Sequence, residues 1–417
     1  MELKILLVTP MPPQPKAPGA IPLVLHAQLS GLRERHQVTL VTVAGQEPGE
    51  RQAVLDLREE GIEVHSVMRQ QPTSRQSWER RWRMGSAWLT RQLPWRTVWF
   101  WEPGLQPILD NLFASREFDL VIVEDNAMGI YNYHTNSPLL FTEHEVRRPR
   151  RLDWRFWENK HLPAWAFSEV DWQRWPRYLR RIWQKFDHIQ VFSSRDALAI
   201  HEMAPKLNKP VSVNPFGIVL PQQAQPEHEQ PERLLFAGNY THAPNVDAAL
   251  WLGRDIMPRL LALCPAVQLD LIGIYPPPEV RALESESIHV LGLVPDINPL
   301  MEGATVVLAP VRIGGGMRMK VLHALAMGKA VVTTTRGSDG LDIWGQAPPL
   351  KIADDSDCFA NAVASLLSNS QERYELGQAA RLFVAEHFSP QAYTRRIETI
   401  YAQISSLEDH PQRGMYG

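Results

Sequence analysis

Cysteine is scarce in this sequence, which has only Cys264 and Cys358 among its 417 residues. The two do not form a Cys-x-x-Cys pair or a Cys/His cluster with metal-ligand spacing. A zinc-ribbon site and a disulfide-stapled scaffold are therefore excluded. We expect both cysteines to be buried free thiols.

Long apolar runs are also missing. No stretch of about 18 apolar residues occurs, so the sequence predicts no membrane-spanning helix. The apolar run at residues 5–8 is followed at once by prolines, which is not the pattern of a signal peptide. These features predict a cytoplasmic protein.

The chain lacks a strong excess of charge of either sign, because its formal net charge is -3. This balance does not favour nucleic acid as a partner. Hydrophobic residues make up 44% and charged residues 21%, which is ordinary globular usage. The length exceeds what one ordinary core accommodates, so we predict two domains.

The first half of the chain alternates short apolar runs with helical patterns. An apolar run at residues 4–10, a helical pattern at 21–34 and a second apolar run at 38–43 predict a parallel βαβ unit. Further strands are predicted at residues 62–67, 118–124, 138–142 and 188–193.

A polar, proline-rich segment at residues 221–232 has the composition of a linker, and a second α/β pattern follows it. Strands alternating with helices predict a doubly wound parallel sheet here as well. The predicted strands are residues 233–238, 267–273, 288–292, 305–311 and 329–334, the helices include 245–263 and 319–327, and a helical tail spans 371–404.

Two stretches, residues 69–101 and 147–185, hold 12 of the 14 tryptophans and a net charge of +13. In the second stretch the apolar residues from Trp172 to Phe186 recur at helical spacing. Three interpretations stay open for these stretches: a core-facing stripe with solvated arginines, a peripheral membrane surface, or an acceptor platform that stacks sugar rings or holds an anionic acceptor.

A glycine triplet, Gly314 to Gly316, follows one predicted strand and opens a predicted helix, with Arg318 and Lys320 in its first turn. Glycines at a helix mouth expose backbone N–H groups, and the positive helix end favours phosphate oxygens. Two nearby cations can neutralise a diphosphate. The segment therefore predicts an anion-binding site at the carboxyl end of the strand.

With this segment the chain resembles the family 4 retaining glycosyltransferases. Other segments of the same resemblance, in the order of the family, are residues 5–10, the Gly19 loop, 141–144, 234–239, 244–247, 271–273, 290–296 and 326–341. The resemblance implies the α/β GT-B architecture, in which two Rossmann-like domains with parallel sheets face each other. The implied domains are residues 1–213 and 222–385, and a last helix, 386–410, returns to the first domain.

The resemblance also implies roles for single residues. The diphosphate of a nucleotide sugar would meet the Gly238 turn, Arg318 and Lys320 in the cleft between the domains, and the base would lie near Leu293 and Val294. The implied donor-binding residues are Gly19, Gly238, Asn239, Leu293, Val294, Gly314, Gly315, Gly316, Arg318, Lys320 and His323, and the implied catalytic residue is His144, beside the transferred sugar.

The chain departs from the family pattern at two places. Where the family commonly has two glutamates eight positions apart, this chain has Gly315 and His323, and an imidazole makes fewer hydrogen bonds to ribose hydroxyls than a carboxylate. We expect the His323 ring to face the cleft. A cation pair after the Gly238 strand is replaced by Asn239 and the turn at residues 244–245, which leaves the diphosphate to Arg318 and Lys320.

The function that the resemblance implies is transfer of a sugar from a UDP- or GDP-sugar to a glycan, lipid-linked or small-molecule acceptor. Retention of configuration and independence of a metal or other cofactor are part of this expectation. One alternative is a nucleotide-sugar epimerase, which needs acid/base carboxylates that the sequence does not place. Another is a catalytically silent protein that binds sugar nucleotides or acts as a scaffold, suggested by His323. Membrane association at the cytosolic face is expected if the tryptophan-rich stretches form a membrane surface.

Overall fold

The computed structural model describes residues 2–17, 19–45, 48–69, 74–147, 162–314, 319–342 and 345–408. The chain forms two compact units. One consists of residues 1–216 together with 393–417, and the other of residues 217–392. Within the described residues, no helix combines the length and the apolar character needed to cross a membrane.

The first unit contains a seven-stranded parallel sheet. Its strands are β1 (Lys4–Thr9), β2 (Gln37–Ala44), β3 (Glu63–Met68), β4 (Leu120–Glu124), β5 (Leu139–Glu143), β6 (His188–Val191) and β7 (Val211–Val213). They lie in the order β3-β2-β1-β4-β5-β6-β7. In this sheet, the described strand that the sequence does not predict is β7, because three residues are too few to show a period.

Helices surround this sheet. They are α1 (Ala20–Arg33), α2 (Pro48–Glu59), α3 (Ser74–Thr90), α4 (Trp95–Phe100), α5 (Leu105–Ser115), α6 (Leu162–Trp183) and α7 (Ser194–Met203). In β1, Leu6 and Val8 enter one core cluster, whereas Ile5 and Leu7 enter another. Successive strand residues point to opposite faces, so a sheet covered on both faces requires a continuous apolar run.

The structure of helix α6 decides between the three interpretations for the apolar stripe on that helix. Trp175, Leu179, Ile182 and Trp183 are at most 1% exposed and lie in the core of the first unit. Arg177, Arg180 and Arg181 of the same helix are exposed. The stripe on α6 is therefore a core-facing one.

The second unit contains a six-stranded parallel sheet in the order β10-β9-β8-β11-β12-β13. Its strands are β8 (Arg233–Ala237), β9 (Gln268–Ile272), β10 (Ile288–Gly292), β11 (Val306–Ala309), β12 (Val331–Thr333) and β13 (Lys351–Ile352). Its helices are α8 (Ala243–Trp251), α9 (Met257–Leu263), α10 (Pro278–Arg281), α11 (Asn298–Gly303), α12 (Met319–Ala326), α13 (Ser356–Ser368) and α14 (Ser370–His387), with a π-helical turn, Leu252–Ile256, joining α8 to α9.

The polar segment at residues 221–232 is bonded to the second unit rather than forming a free linker. Gln230 N donates to Gly303 O at 2.8 Å, and Lys329 Nζ donates to Glu229 Oε1 at 2.8 Å. The Lys329 side chain is 3% exposed, so this ion pair is largely shielded from water. The predicted linker is therefore an ordered connection, because its polar groups have partners in the second unit that a proline-rich composition does not reveal.

The last helix, α15 (Pro390–Glu408), packs on the first sheet. Its buried residues from Tyr393 to Ile404 join the core cluster that contains Ile5 and Leu7. The predicted helical tail is thus two helices, α14 and α15, separated at residues 388–389.

Both cysteines are free, but only one is even partly buried. Cys264 is partly buried, whereas Cys358 is exposed in the first turn of α13. The expectation of a buried thiol is therefore wrong for Cys358. Its backbone N–H donates to the capping carboxylate of Asp355 at 2.8 Å, which explains why the residue lies at a helix end.

Helix α14 passes very close to the loop after α12. A Cβ atom added to Gly377 would lie 2.0 Å from the backbone oxygen of Gly328. Two backbones in such contact leave no room for a side chain, and a backbone carbonyl cannot rotate away as a side-chain end could.

We therefore predict that Gly377→Ala lowers the stability of the protein by about 1 to 3 kcal/mol, the usual range for overpacking. Gly85→Ala is the matched control, since Gly85 also lies in a helix but has no atom within 4 Å of an added Cβ. That change should stabilise by roughly 0.5 to 1 kcal/mol. Thermal unfolding followed by circular dichroism separates the two, and an unchanged or higher Tm for Gly377→Ala would contradict the close approach.

Candidate functional site

The predicted donor-binding residues of the second unit gather where its strand order reverses. Strands β8 and β11 are neighbours, and the chain leaves them in opposite directions across the sheet. Gly238 follows β8, and Gly314, with a φ of 95°, follows β11. A crevice outside the carboxyl ends of such a pair is the usual ligand site of open parallel sheets.

The Asn245 side chain connects the residues of this region. Its Nδ2 donates to Asn239 O at 2.8 Å, and its Oδ1 accepts a hydrogen bond from Lys320 Nζ at 2.8 Å. Lys320 Nζ also lies 4.3 Å from the centre of the Phe236 ring. The structure thus brings Asn239 and Lys320 together through a neutral amide.

Two glycines are required here by space. A Cβ on Gly238 would lie 2.8 Å from Asn245 Cγ, and a Cβ on Gly273 would lie 1.6 Å from Gly238 O. Gly273 also has a φ of +149°, which side chains rarely adopt. The loops after β8 and β9 are therefore held in backbone contact beside the predicted diphosphate site.

Three residues of the predicted anion cradle, Gly315, Gly316 and Arg318, lie outside the described residues. The cradle is represented by Gly314 and by Lys320 in the first turn of α12. A further cation, Arg312, precedes the glycines, but Asp247 pairs with it at 2.7 Å.

A cavity of about 350 Å³ lies at the carboxyl ends of β9 and β10. The predicted base-contacting residue Leu293 lines it and is 74% exposed. Tyr275, which is 75% exposed, lines the same cavity. Exposed apolar and aromatic side chains around a cavity provide the flat contacts that a nucleotide base needs. Val294 comes next in the chain and is partly buried.

His323 lies on α12, one turn after Lys320. Its Nε2 is 2.9 Å from Asn298 Oδ1, so Nε2 carries a proton and Nδ1 of the neutral ring is an acceptor. Burial lowers the pKa of His323, although the charge of Asp296 acts in the opposite direction. The ring is therefore neutral at neutral pH.

In the first unit, His144 directly follows β5 and is held by a buried carboxylate. His144 Nε2 lies 2.7 Å from Glu124 Oε2, and the side chains are 10% and 0% exposed, respectively. The other Glu124 oxygen accepts a hydrogen bond from Thr142 Oγ1 at 2.8 Å. Phe192 packs beside the imidazole, with 5.0 Å between the ring centres. The ring is thus fixed in orientation.

A second buried carboxylate, Asp125, lies 4.0 Å from His144 Nδ1. Arg96 donates two hydrogen bonds to it, at 2.7 and 2.8 Å. Burial opposes ionisation of Asp125, but Arg96 overcomes this effect and holds the carboxyl pKa at about 2. Asp125 is therefore ionised across the physiological range.

A third carboxylate, Glu143, differs from the other two. Burial raises its pKa to about 8, and the hydrogen bonds from Asn126 and Trp183 only partly oppose this effect. Glu143 is therefore a neutral acid at pH 7.

The protonation of His144 follows from these neighbours. Burial alone would lower its pKa, but the hydrogen bond from the ring to Glu124 and the negative charges around it raise the pKa above its ordinary value. The ring therefore stays cationic to a higher pH than a free histidine. An imidazolium donates from both nitrogens and is not a base.

Comparison with known proteins identifies the second unit. Residues 231–369 match the protein family described as Glycosyl transferases group 1. The second unit is a group 1 glycosyltransferase domain. No curated protein sequence matches the chain significantly.

Solved glycosyltransferase structures share the fold of the whole chain. Anabaena HepE in complex with UDP and glucose is 15% identical, with a TM-score of 0.60, and the match covers 96% of this chain and 100% of that one. Sucrose-phosphate synthase from Thermosynechococcus elongatus is 14% identical, with a TM-score of 0.63 over 97% and 99% of the chains. An E. coli protein bound with UDP-2-fluoro glucose is 12% identical, with a TM-score of 0.63 over 96% and 99%. The fold of this chain is therefore GT-B, as predicted.

Sequence reasoning missed the carboxylates that surround His144. A signal was present, because Glu124 and Asp125 end one buried strand and Glu143 and His144 end another. What the sequence lacked was the knowledge that β4 and β5 are neighbours in the sheet. Arg96 carries no local signal, since it comes from a separate helix, α4.

Gly19, at the start of α1, is a predicted donor contact. Neither its backbone conformation nor its neighbours in the structure require a glycine there. Its φ of -117° is ordinary, and an added Cβ would meet only Pro22 at 3.9 Å. Among the described residues, nothing else crowds that position. A requirement for glycine there would have to come from a bound molecule.

The Glu124–His144 pair generates a prediction on pH. Because the folded pKa of His144 is raised, the cation persists below that value and is lost as pH rises through it. Glu124→Gln should lower this pKa and move the alkaline fall in turnover to lower pH, without changing UDP affinity. His144→Ala should lower the rate of turnover by about a hundredfold or more. The pH–rate profile and the imidazole NMR titration, assigned with His144→Ala, test this, and an unshifted profile for Glu124→Gln would reject the role of the pair.

Proposed function

We propose that this glycosyltransferase uses a UDP-sugar and transfers the sugar to a glycan or lipid-linked acceptor. The observation that carries the proposal is the arrangement of Gly238, Asn245 and Lys320 at the reversal of strand order in a group 1 domain. Bound UDP and UDP-sugars in proteins of the same fold support the choice of base. Cytoplasmic location belongs to the same proposal, and nucleic acid is not a proposed partner.

The chemistry of transfer fits these groups. The bond between the sugar C1 and the diphosphate oxygen breaks, an acceptor oxygen forms the new bond at C1, and the acceptor proton is released. Negative charge grows on the departing diphosphate. Lys320, Arg318 and the N–H groups at the start of α12 would stabilise that charge, so the proposal needs no metal ion. Retention at C1 is proposed from the family resemblance.

His144 would act on the sugar as a hydrogen-bond donor. Its Nε2 is used by Glu124, which leaves Nδ1–H for a sugar or acceptor oxygen. Since the raised pKa favours the cationic ring, the role that we propose is to orient the sugar and stabilise charge rather than to remove a proton.

An epimerase would need acid/base carboxylates, and the structure places carboxylates beside His144. The epimerase is therefore the second candidate function. However, Asp125 accepts hydrogen bonds from Arg96, and Glu124 is fully buried and paired with the His144 ring. Groups so paired are poorly placed to take a proton from a sugar carbon. Product analysis of a UDP-sugar incubated without acceptor separates the two functions, because only an epimerase changes the sugar under those conditions.

Donor binding gives the direct test of the diphosphate site. Charged hydrogen bonds to phosphate contribute about 1.5 to 3 kcal/mol each, so Lys320→Ala and Arg318→Ala should each weaken UDP binding roughly ten- to a hundredfold. Lys351→Ala is a matched control in the same unit, because its partner is Glu372 and not the glycine loop. Calorimetry with UDP, GDP and ADP measures the effect and the base preference. Parent-like binding by both variants would place the diphosphate elsewhere.

His323 generates a second prediction. If Nδ1 accepts from a ribose hydroxyl, protonation removes the acceptor, and the lowered pKa places this loss below about pH 6.5. Donor affinity should then fall on acidification through that range, while His323→Glu should bind more tightly and show less pH dependence near neutrality. His201→Glu, at an exposed histidine of the first unit, is the control.

Titration of parent and variants with UDP-glucose at about pH 5.5 and 8 decides this question. Absence of parent binding at both values, with binding restored by His323→Glu, would favour the silent scaffold over the enzyme.

A further inference from the structure

Helix α3 has an apolar face on the side away from the core. Met84 and Ala87 are 4% exposed and face inward. Trp78, Trp82 and Leu89, by contrast, are 68%, 66% and 66% exposed. At about 100° per residue these three side chains lie within about 40° of one another around the helix, so they form one stripe.

The beginning of α6 packs against Trp88 of the same helix, α3, and carries exposed apolar side chains of its own. Phe167, which is 39% exposed, stacks on Trp88 with 4.9 Å between the ring centres. Arg174 also packs on Trp88, with its guanidinium carbon 3.8 Å from the centre of the indole ring. Val170, one turn after Phe167, is 47% exposed. We call Trp78, Trp82, Leu89, Phe167 and Val170 the aromatic surface.

Exposed basic residues lie on both helices that carry the aromatic surface. Arg81 and Arg91 are exposed on α3 and just after it, and α6 carries further exposed arginines, while the acidic residues Glu79 and Glu169 also lie on these helices. The carboxylate of Asp171 already accepts hydrogen bonds from Trp88 Nε1 and Trp95 N. The exposed arginines on α6 are Arg177, Arg180 and Arg181.

Two tryptophans with two-thirds of their area in water are unfavourable unless something covers them. A second copy of the chain would bring arginines face to face, which repel. A bilayer with anionic headgroups offers a partner for both features. Indole rings insert at the headgroup level, and each nearby arginine is attracted to the negative surface.

We propose that the aromatic surface binds the face of a membrane that contains anionic lipids. Trp78, Trp82 and Leu89 enter the interfacial region, and Arg81 and Arg177 contact the headgroups. This inference goes beyond the proposed sugar transfer and does not depend on it, since no donor-binding residue takes part. It assigns the exposed tryptophans of α3 to a membrane contact, whereas Trp175 and Trp183 of α6 remain in the core.

Sedimentation with vesicles tests the proposal on the full chain. The parent should sediment with vesicles of phosphatidylcholine and phosphatidylglycerol in equal parts, and much less with phosphatidylcholine alone, and salt should weaken the binding. Trp78→Gln with Trp82→Gln should reduce the affinity at least roughly tenfold. Arg81→Gln with Arg177→Gln should remove most of the preference for anionic vesicles. Both double variants change exposed side chains, so Tm should stay unchanged.

The matched control is Leu263→Gln with Leu382→Gln, two residues of the second unit that are 52% and 69% exposed. This variant should bind vesicles as the parent does. Calorimetric UDP affinity should be the same for the parent and all variants, so failure of vesicle binding is distinguishable from failure of the donor site.

Three results would overturn the proposal. The first is a parent that stays in the supernatant with anionic vesicles, or a tryptophan variant that binds them equally well. The second is a parent dimer in light scattering that the tryptophan variant loses, which assigns the surface to a second copy. The third is loss of turnover on a soluble acceptor in the tryptophan variant, which makes the surface an acceptor platform.

Discussion

Parallel strands buried on both faces are the constraint on which the rest of this structure depends. Such strands have to be apolar along their length, so polar side chains accumulate where the strands end. The strand ends of β4 and β5 carry Glu124, Asp125, Glu143 and His144, and neighbouring parallel strands place all four side by side. The same constraint places the Gly238 turn beside the loop after β11 in the second unit.

Burial then determines what these groups can do. Three carboxylates in one buried cluster cannot all be ionised at low cost, and the structure resolves this by assigning different partners. Arg96 keeps Asp125 ionised, the His144 ring binds Glu124, and Glu143 stays protonated. The pKa of His144 is thereby raised, so its ring keeps a positive charge to a higher pH than a free histidine does. On the donor side, Asn245 plays a comparable positioning part, since it holds Lys320 without neutralising it.

The two tryptophan-rich helices show how similar sequences reach different environments. Both α3 and α6 combine tryptophans and arginines at helical spacing. On α6 the apolar stripe faces the core, whereas on α3 Met84 and Ala87 already cover the core and Trp78 and Trp82 are left outside. Periodicity reveals that a stripe exists, but the amount of core surface left to cover decides which stripe is buried.

The sequence by itself determined the alternation of strands and helices, the two α/β units, the glycine turn with Lys320, and the position of His144 after a strand, because these follow from local apolar pattern and short motifs. Tertiary structure decided which strand ends meet, that Arg96 and Glu124 join His144, that residues 221–232 are bonded to the second unit, and that Cys358 is exposed. These outcomes depend on contacts between residues far apart in the chain. The shifted pKa of His144 belongs with them, since it depends on burial and on Glu124, which the fold brings to the ring from 20 residues away.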